Sequence, residues 1–442
     1  MQFFSFNFMF SVLILSNIEI LFSHGAEKPG KSNYHVFSMD SVMQKPNCSS
    51  GLGSHKMRVS HKYGPCSPLP NSVEVPFSDE ILQKNEARVR WLNSRISNYG
   101  GFTTAVEEAA AVGPSPGQYL TTIGLGTPIV NYTMMIDTGS SSTWLRCKPC
   151  HKGCNPNRNL FDPSKSSTHI YTSEPFSMTY FDNSSTSGNW NYDTLKLDSH
   201  VINEFKFGCG QNNSGDFSGA DGILGLGPGP FSLVSQLPPN IGKIFGYCLP
   251  KSNKKDGYFV IGDEATKRIS SPTLKFTKLL SSSYYFVELL GISVAGRRLN
   301  ISPEVFTSVR TMVDSGTVVT YLPKQAYTVL SSAFKQSMTI YKPAKEQTDP
   351  ILETCYIVKE GQSSIRFPQI TFHFSGGTDV DLDQSGVGLF IKKENTWCLA
   401  FTANKNDGDR TIIGNTQLAE MDVLYDIQGQ RIGFGRNGGC GH

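Results

Sequence analysis

Three regimes of apolar and polar spacing succeed one another along the chain. Residues 2–22, QFFSFNFMFSVLILSNIEILF, are almost continuously apolar. Glu19 and scattered Ser and Asn make this stretch a poor membrane-spanning helix, and FSHGA offers small residues for cleavage near Gly25. A secretory signal peptide over residues 1–25 is expected, with the departure that its first residues lack Lys and Arg.

Within residues 26–112 one stretch follows a helical rhythm. SDEILQKNEARVRWLNSRIS repeats Leu82, Val89, Leu92 and Ile96 at helical spacing. Ser78 suits the N-cap, and Asp79 and Glu80 suit the positive helix end. The stretch AAAVGPSPGQY then reads as an exposed linker open to proteolysis.

From Tyr119 onward the spacing becomes that of short strands broken by Gly and Pro, as in YLTTIGLGTP and DVLYDIQGQRIGFG. KQAYTVLSSAFKQSM is the helix candidate in this part. One pattern occurs twice. MMIDTGSSST with Asp137 has a counterpart in TMVDSGTVVT with Asp314, and each is followed by an apolar-apolar-Gly element, GILGLG at Gly225 and TIIGNT at Gly414. The order of the four elements predicts a duplicated lobe that brings Asp137 and Asp314 together.

The chain has 442 residues, with 42 Gly and 24 Pro, which is ample for two β lobes. A net charge of +3 without a long basic run is unlike a nucleic-acid binder. Ten cysteines in a chain with a signal peptide point to disulfides. CKPCHKGC could hold zinc with His151 as fourth ligand, but export favours disulfides, and no metal site is assigned. Sequons begin at Asn47, Asn131, Asn183, Asn212 and Asn300.

Two carboxylates forced together cannot both ionise cheaply, so the pair shares a proton at acid pH. One can then act as base on a water while the other protonates a substrate carbonyl, which is amide hydrolysis without a covalent intermediate. Gly139 and Gly316 permit close approach of the two loops. Thr138, Ser140, Ser315 and Thr317 can donate hydrogen bonds to the carboxylates. No Gly-x-Ser-x-Gly elbow is present, so a serine hydrolase is disfavoured.

DTGS and DSGT in two lobes resemble the pepsin-like aspartic proteases. GPCSP, GLGTP, FDPSKSST, FGCG, DGILGLG, YCLP, GISVAG, CLAF and IIGN resemble the atypical plant branch, similar to nepenthesins and chloroplast nucleoid DNA-binding proteases. The resemblance implies an all-β, bilobal fold with the cleft between lobes, an N-terminal lobe over residues 113–283 and a C-terminal lobe over residues 284–442. Residues 26–112 would be the prosegment. It implies Asp137 and Asp314 as the catalytic pair, and a flap carrying Tyr180 whose hydroxyl meets the Trp144 indole. It further implies the disulfides Cys248–Cys440, Cys355–Cys398 and Cys154–Cys209, leaving Cys147 with Cys150.

The flap departs from the branch. YFDNSSTSGNW puts Phe181 and Asn183 where that branch has glycines, which suggests a rebuilt turn and slower substrate entry. The expected activity is acid endoproteolysis by a secreted zymogen in the apoplast, with vacuole or chloroplast as alternative sites. Lys62, Arg88, Arg90 and Arg95 suit the prosegment to an acidic cleft. Protein or peptide substrates, a monomer, no cofactor, no nucleic acid and no membrane anchor are expected. The alternatives are a catalytically weak relative that binds or inhibits proteins, and a nucleoid DNA-binding protease.

Overall fold

The computed structural model describes residues 33–38, 48, 55–69, 79–98, 119–154, 158–180, 183–215, 217, 219–251, 256–269, 272–344, 351–391, 395–436 and 440. The expected signal peptide, the expected Ser78 cap and the expected linker before Tyr119, together with the Asn47 sequon and Phe181, lie outside these residues.

Strands β1 (Tyr34–Ser38) and β2 (Met57–His61) and helix α1 (Asp79–Asn98) come first. Then follow β3 (Tyr119–Leu125), β4 (Val130–Asp137), β5 (Trp144–Arg146), β6 (Ile170–Thr179), β7 (Ser185–Leu197), β8 (His200–Ser214), β9 (Gly222–Gly225), β10 (Ile244–Cys248) and β11 (Gly257–Ile261). The expected duplication appears as one local topology built twice. β4 runs parallel to β9 with Asp137 opposite Gly225, β9 is antiparallel to β5, and β5 is parallel to β8. In the C-terminal half, Thr311–Val313 runs parallel to Thr411–Ile413, the latter is antiparallel to Thr320–Leu322, and that strand is parallel to Phe401–Ala403. Each aspartate therefore ends an inner strand and starts a turn. Strands buried on both faces read as unbroken apolar runs, which is why MMID and TMVD look alike.

A thirteen-stranded sheet joins the two halves, with β10, β11, β2, β3 and β4 adjacent in that order. β2 thus fills a slot between β11 and β3, with Gly257 opposite Val59 and Tyr119 opposite His61. Met57 and Val59 enter the main core beside Phe245, Tyr285 and Tyr425. β1 adds to the edge of Ser364–Pro368. Helix Lys324–Ser337 forms where the sequence places one, burying Ala326, Tyr327, Leu330 and Phe334. No described helix is long and apolar enough to cross a membrane.

Two disulfide expectations are corrected. Cys147 bonds to Cys209, and Cys150 bonds to Cys154, in place of Cys154–Cys209 and Cys147–Cys150. The parallel register of β5 with β8 sets Leu145 opposite Cys209, and the Cys147 N–H donates to the Gly210 carbonyl. That pairing brings Cys147, with its Cα 5.4 Å from that of Cys209, into bonding range. Cys248 pairs with Cys440, Cys355 with Cys398 across adjacent strands, and Cys48 with Cys66.

Candidate active site

Asp137 and Asp314 are both fully buried, and matching shells hold them. Asp137 accepts from the Gly139 N–H at 2.8 Å and the Ser140 hydroxyl at 2.7 Å. Asp314 accepts from the Gly316 N–H at 3.0 Å and the Thr317 hydroxyl at 2.5 Å. The two turns are tied to each other. The Thr138 N–H donates to Ser315 Oγ at 3.1 Å, and the Ser315 N–H donates to Thr138 Oγ1 at 2.9 Å. Neither glycine tolerates a side chain. A Cβ at Gly316 would lie 2.6 Å from Asp137 Oδ1, and one at Gly139 would lie 3.0 Å from Asp314 Oδ1. Of the six supporting residues named from the sequence, Gly139, Ser140, Gly316 and Thr317 bond the carboxylates, whereas Thr138 and Ser315 bond each other and join the two turns.

The partner between the carboxylates comes from α1. Arg88 is fully buried, and its Nη2 donates to Asp137 Oδ1 at 2.8 Å and to Asp314 Oδ1 at 3.0 Å. Its Nε adds a bond to Asp314 Oδ2 at 3.0 Å, and its Nη1 one to Asp137 Oδ2 at 3.2 Å. The planar fork of a guanidinium suits such a four-bond bridge. Burial raises the Asp137 carboxyl above its ordinary value, Arg88 opposes the rise, and the Asp314 charge adds to it. For Arg88, burial works against the charge, but the two carboxylates outweigh it and hold the guanidinium protonated.

Helix α1 lies on this site through its apolar face. Ile81, Leu82, Val89 and Leu92 pack with Phe286, Met312, Val318 and Ile412. Asn85 is buried in the same face, and its Oδ1 accepts from the Val318 N–H at 2.8 Å. Asn93 Oδ1 accepts from the Arg410 N–H at 2.8 Å, and Glu86 pairs with Lys405. Of the four cations proposed to face the cleft, only Arg88 reaches it. Arg90 is exposed, Arg95 lies over the Trp91 ring, and Lys62 lies over Tyr63. Asn85 was missed in the sequence. Its signal is a polar residue inside an apolar helical stripe, the same signal that Arg88 carries.

The Trp144 indole N–H donates to the Tyr180 hydroxyl, and both residues are buried. Phe217, also missed, packs edge-on to both rings at 4.9 and 5.6 Å. At the hairpin tip the Tyr180 N–H donates to the Ser184 carbonyl and the Asn183 N–H to the Tyr180 carbonyl. Asn183 has φ 61°, so it takes the left-handed position itself. Asn131, Asn183, Asn212 and Asn300 are all exposed.

A Ser–His–Asp chain does exist elsewhere. Ser293 Oγ lies 2.6 Å from His373 Nε2, and His373 Nδ1 lies 2.6 Å from Asp379. Ser293 sits mid-strand, paired on both sides, with its backbone committed to the sheet, so the chain has no oxyanion site at the serine.

Residues 118–437 match the family described as eukaryotic aspartyl protease. The chain is 34% identical to aspartyl protease AED1 of Arabidopsis thaliana over 98% of this chain and 99% of that one. It is 33% identical to aspartyl protease family protein At5g10770 of the same plant, over 91% and 90%. Aspartic proteinase nepenthesin-2 of Nepenthes gracilis is 28% identical over 82% and 86%. With two matched aspartate turns joined across a duplicated β fold, the chain belongs to the eukaryotic aspartyl proteases, as a pepsin-like peptidase of the plant branch.

Proposed function

We propose that the chain is the zymogen of a secreted acid endopeptidase, with Asp137 and Asp314 as its catalytic pair and residues 26–112 as its inhibitory prosegment. The observation that carries this reading is Arg88, bonded to both carboxylates from a helix upstream of the residues matched to the family. A guanidinium in that place occupies the position a water and a substrate carbonyl would need. Once α1 leaves, one aspartate takes a proton from water and the other gives one to the carbonyl oxygen of the scissile amide. The glycines and hydroxyls around the pair hold both carboxyls at fixed angles throughout.

Acid favours release. Arg88 stabilises the ionised pair, so its departure raises the tendency of the pair to hold protons. The contact is at full strength where both carboxylates are ionised and weakens as pH falls through their titration. Because the Asp137 carboxyl stands above its ordinary value even with Arg88 in place, that loss starts above the usual aspartate range. Cleavage between about Ala105 and Gln118 would complete activation. Ten paired or pairable cysteines and four exposed sequons favour an extracellular route.

The test is digestion of an acid-denatured protein by acid-treated precursor, with and without pepstatin. Inhibited cleavage that Asp137→Asn and Asp314→Asn both abolish supports the reading. Near-normal turnover by an Asp314→Asn chain overturns it.

A further inference from the structure

The aspartate pair is not the only acid-sensitive contact of the upstream segment. His61 ends β2 directly opposite Tyr119, and the two rings meet edge to face at 5.4 Å. Its Nδ1 accepts from the Tyr63 N–H at 3.2 Å, while the Gly64 N–H closes a turn on the His61 carbonyl at 2.9 Å. A ring whose Nδ1 accepts must carry its proton on Nε2, so the bond exists only for neutral imidazole. Tyr63 in turn packs against the apolar cluster in which α1 buries Leu82, Val89 and Leu92. The histidine turn and the inhibitory helix therefore share one piece of core.

We propose that His61 is an acid sensor whose protonation breaks its bond to the Tyr63 N–H and loosens β2 and its turn as pH falls, in addition to the release of Arg88 by the aspartate pair. The proposal rests on the zymogen reading above.

The neighbours give the sign. On its own segment the ring faces Tyr63 and Lys62, and the Lys62 charge opposes a second cation. Tyr119 faces it from β3. Glu420 acts on Tyr119, but its Oε1 also accepts from the Lys251 N–H. Asp256, beside β11, is engaged by Ser60 and Arg58, and Asp422 is engaged by Tyr258 near Lys56. Burial raises both carboxyls, while Ser60 and Arg58 of β2 lower Asp256, so Asp256 is a further acid-weakened contact of β2, one that the comparison of the native chain with a His61 variant holds constant. Burial, with Lys62 adding, pushes the imidazole down to about 3. A base lowered in the docked state supports docking fully above its free value of about 6.5 and withdraws that support as pH falls toward about 3. Each pH unit in that window weakens docking by up to about tenfold.

The deciding variant is His61→Asn. Its Oδ1 can accept from the Tyr63 N–H as an Asx turn and does not titrate. Full-length precursor is taken from pH 7 to pH 4, with self-processing followed by mass spectrometry and pulsed hydrogen exchange read over residues 57–63 and 79–98. In the native chain, exchange over 57–63, corrected for its intrinsic pH dependence, rises near pH 5 before cleavage products form. In His61→Asn it stays protected, and processing near pH 5 slows about tenfold. Equal exchange and equal processing in the two chains overturn the proposal. If the Asn chain does not fold, His61→Phe, which lacks the acceptor at every pH, must show exchange over 57–63 that is already raised at pH 7 and does not rise further near pH 5. Failure of the native chain to loosen over 57–63 by pH 4.5 overturns the proposal without any variant. Should no processing occur at any pH, the zymogen reading fails, while the exchange comparison still decides the role of His61.

Discussion

Thr138 and Ser315 exchange backbone-to-hydroxyl hydrogen bonds across the two halves of the molecule, at 3.1 and 2.9 Å. Both residues are buried, and each follows one of the two aspartates. Thr138→Val keeps the shape and removes the oxygen that accepts from the Ser315 N–H. A buried N–H left without a partner costs about 1–3 kcal/mol. The expected result is a lower denaturation midpoint together with a fall in kcat, since the two carboxyls are no longer held at one spacing. A Thr138→Val chain with native stability and native kcat would show that the exchange is incidental.

Arg88 is a second case in which removing one partner strands the others. Arg88→Met leaves two buried carboxylates facing each other with no counter-charge. Breaking a buried pair in this way costs about 3–5 kcal/mol. At neutral pH the helix should therefore undock, and residues 79–98 should become sensitive to limited proteolysis. At acid pH the uncut precursor should hydrolyse a quenched peptide without a lag. On the zymogen reading, an Arg88→Met chain that stays latent until it is cut would mean that the apolar face of α1 suffices for inhibition.

Asn85 tests the helix without touching its charge. Asn85→Leu fits the stripe of Leu82, Val89 and Leu92 but leaves the Val318 N–H unbonded. That N–H is buried beneath the helix, so docking should weaken by about 1–3 kcal/mol. The readout is the rate of acid activation, which should rise about tenfold or more. An unchanged rate would assign Val318 a different acceptor in solution.

These contacts differ in how legible they were. Asp137 and Asp314 stood out because a duplicated inner strand repeats its own sequence, and a turn that must admit a second turn demands Gly139 and Gly316. The Cys147–Cys209 bond was not legible, because it depends on a parallel pairing between strands far apart in the chain. MRVSH alternates apolar and polar residues but is too short to announce a strand that fills an interior slot between β3 and β11. Arg88 was named as one of four cations of the segment, while Asn85, the same kind of polar interruption of an apolar stripe, was passed over, because a stripe does not say what it will face.

The flap gives the last prediction, and it revises the expectation drawn from the sequence. Phe181 and Asn183 suggested a turn slowed by the loss of two glycines. Asn183 instead adopts φ 61° and closes the tip through its N–H to the Tyr180 carbonyl. Asn tolerates the left-handed region through its short polar side chain, whereas most other residues lose about 1–2 kcal/mol there. Asn183→Gly should therefore leave turnover nearly unchanged, and Asn183→Ala should lower it several-fold by disfavouring the closed tip. Because Asn183 also begins a sequon, Ser185→Ala separates the effects, removing the sequon while keeping the Asn. A rise in turnover with Ser185→Ala alone would assign any slowness of the flap to an attached glycan rather than to the turn. Tyr180→Phe removes the acceptor of the buried Trp144 N–H and should reduce kcat/KM about tenfold. Steady-state kinetics on a quenched peptide decide each case, and an Asn183→Gly chain several-fold faster than the native one would restore the view that the native tip obstructs closure.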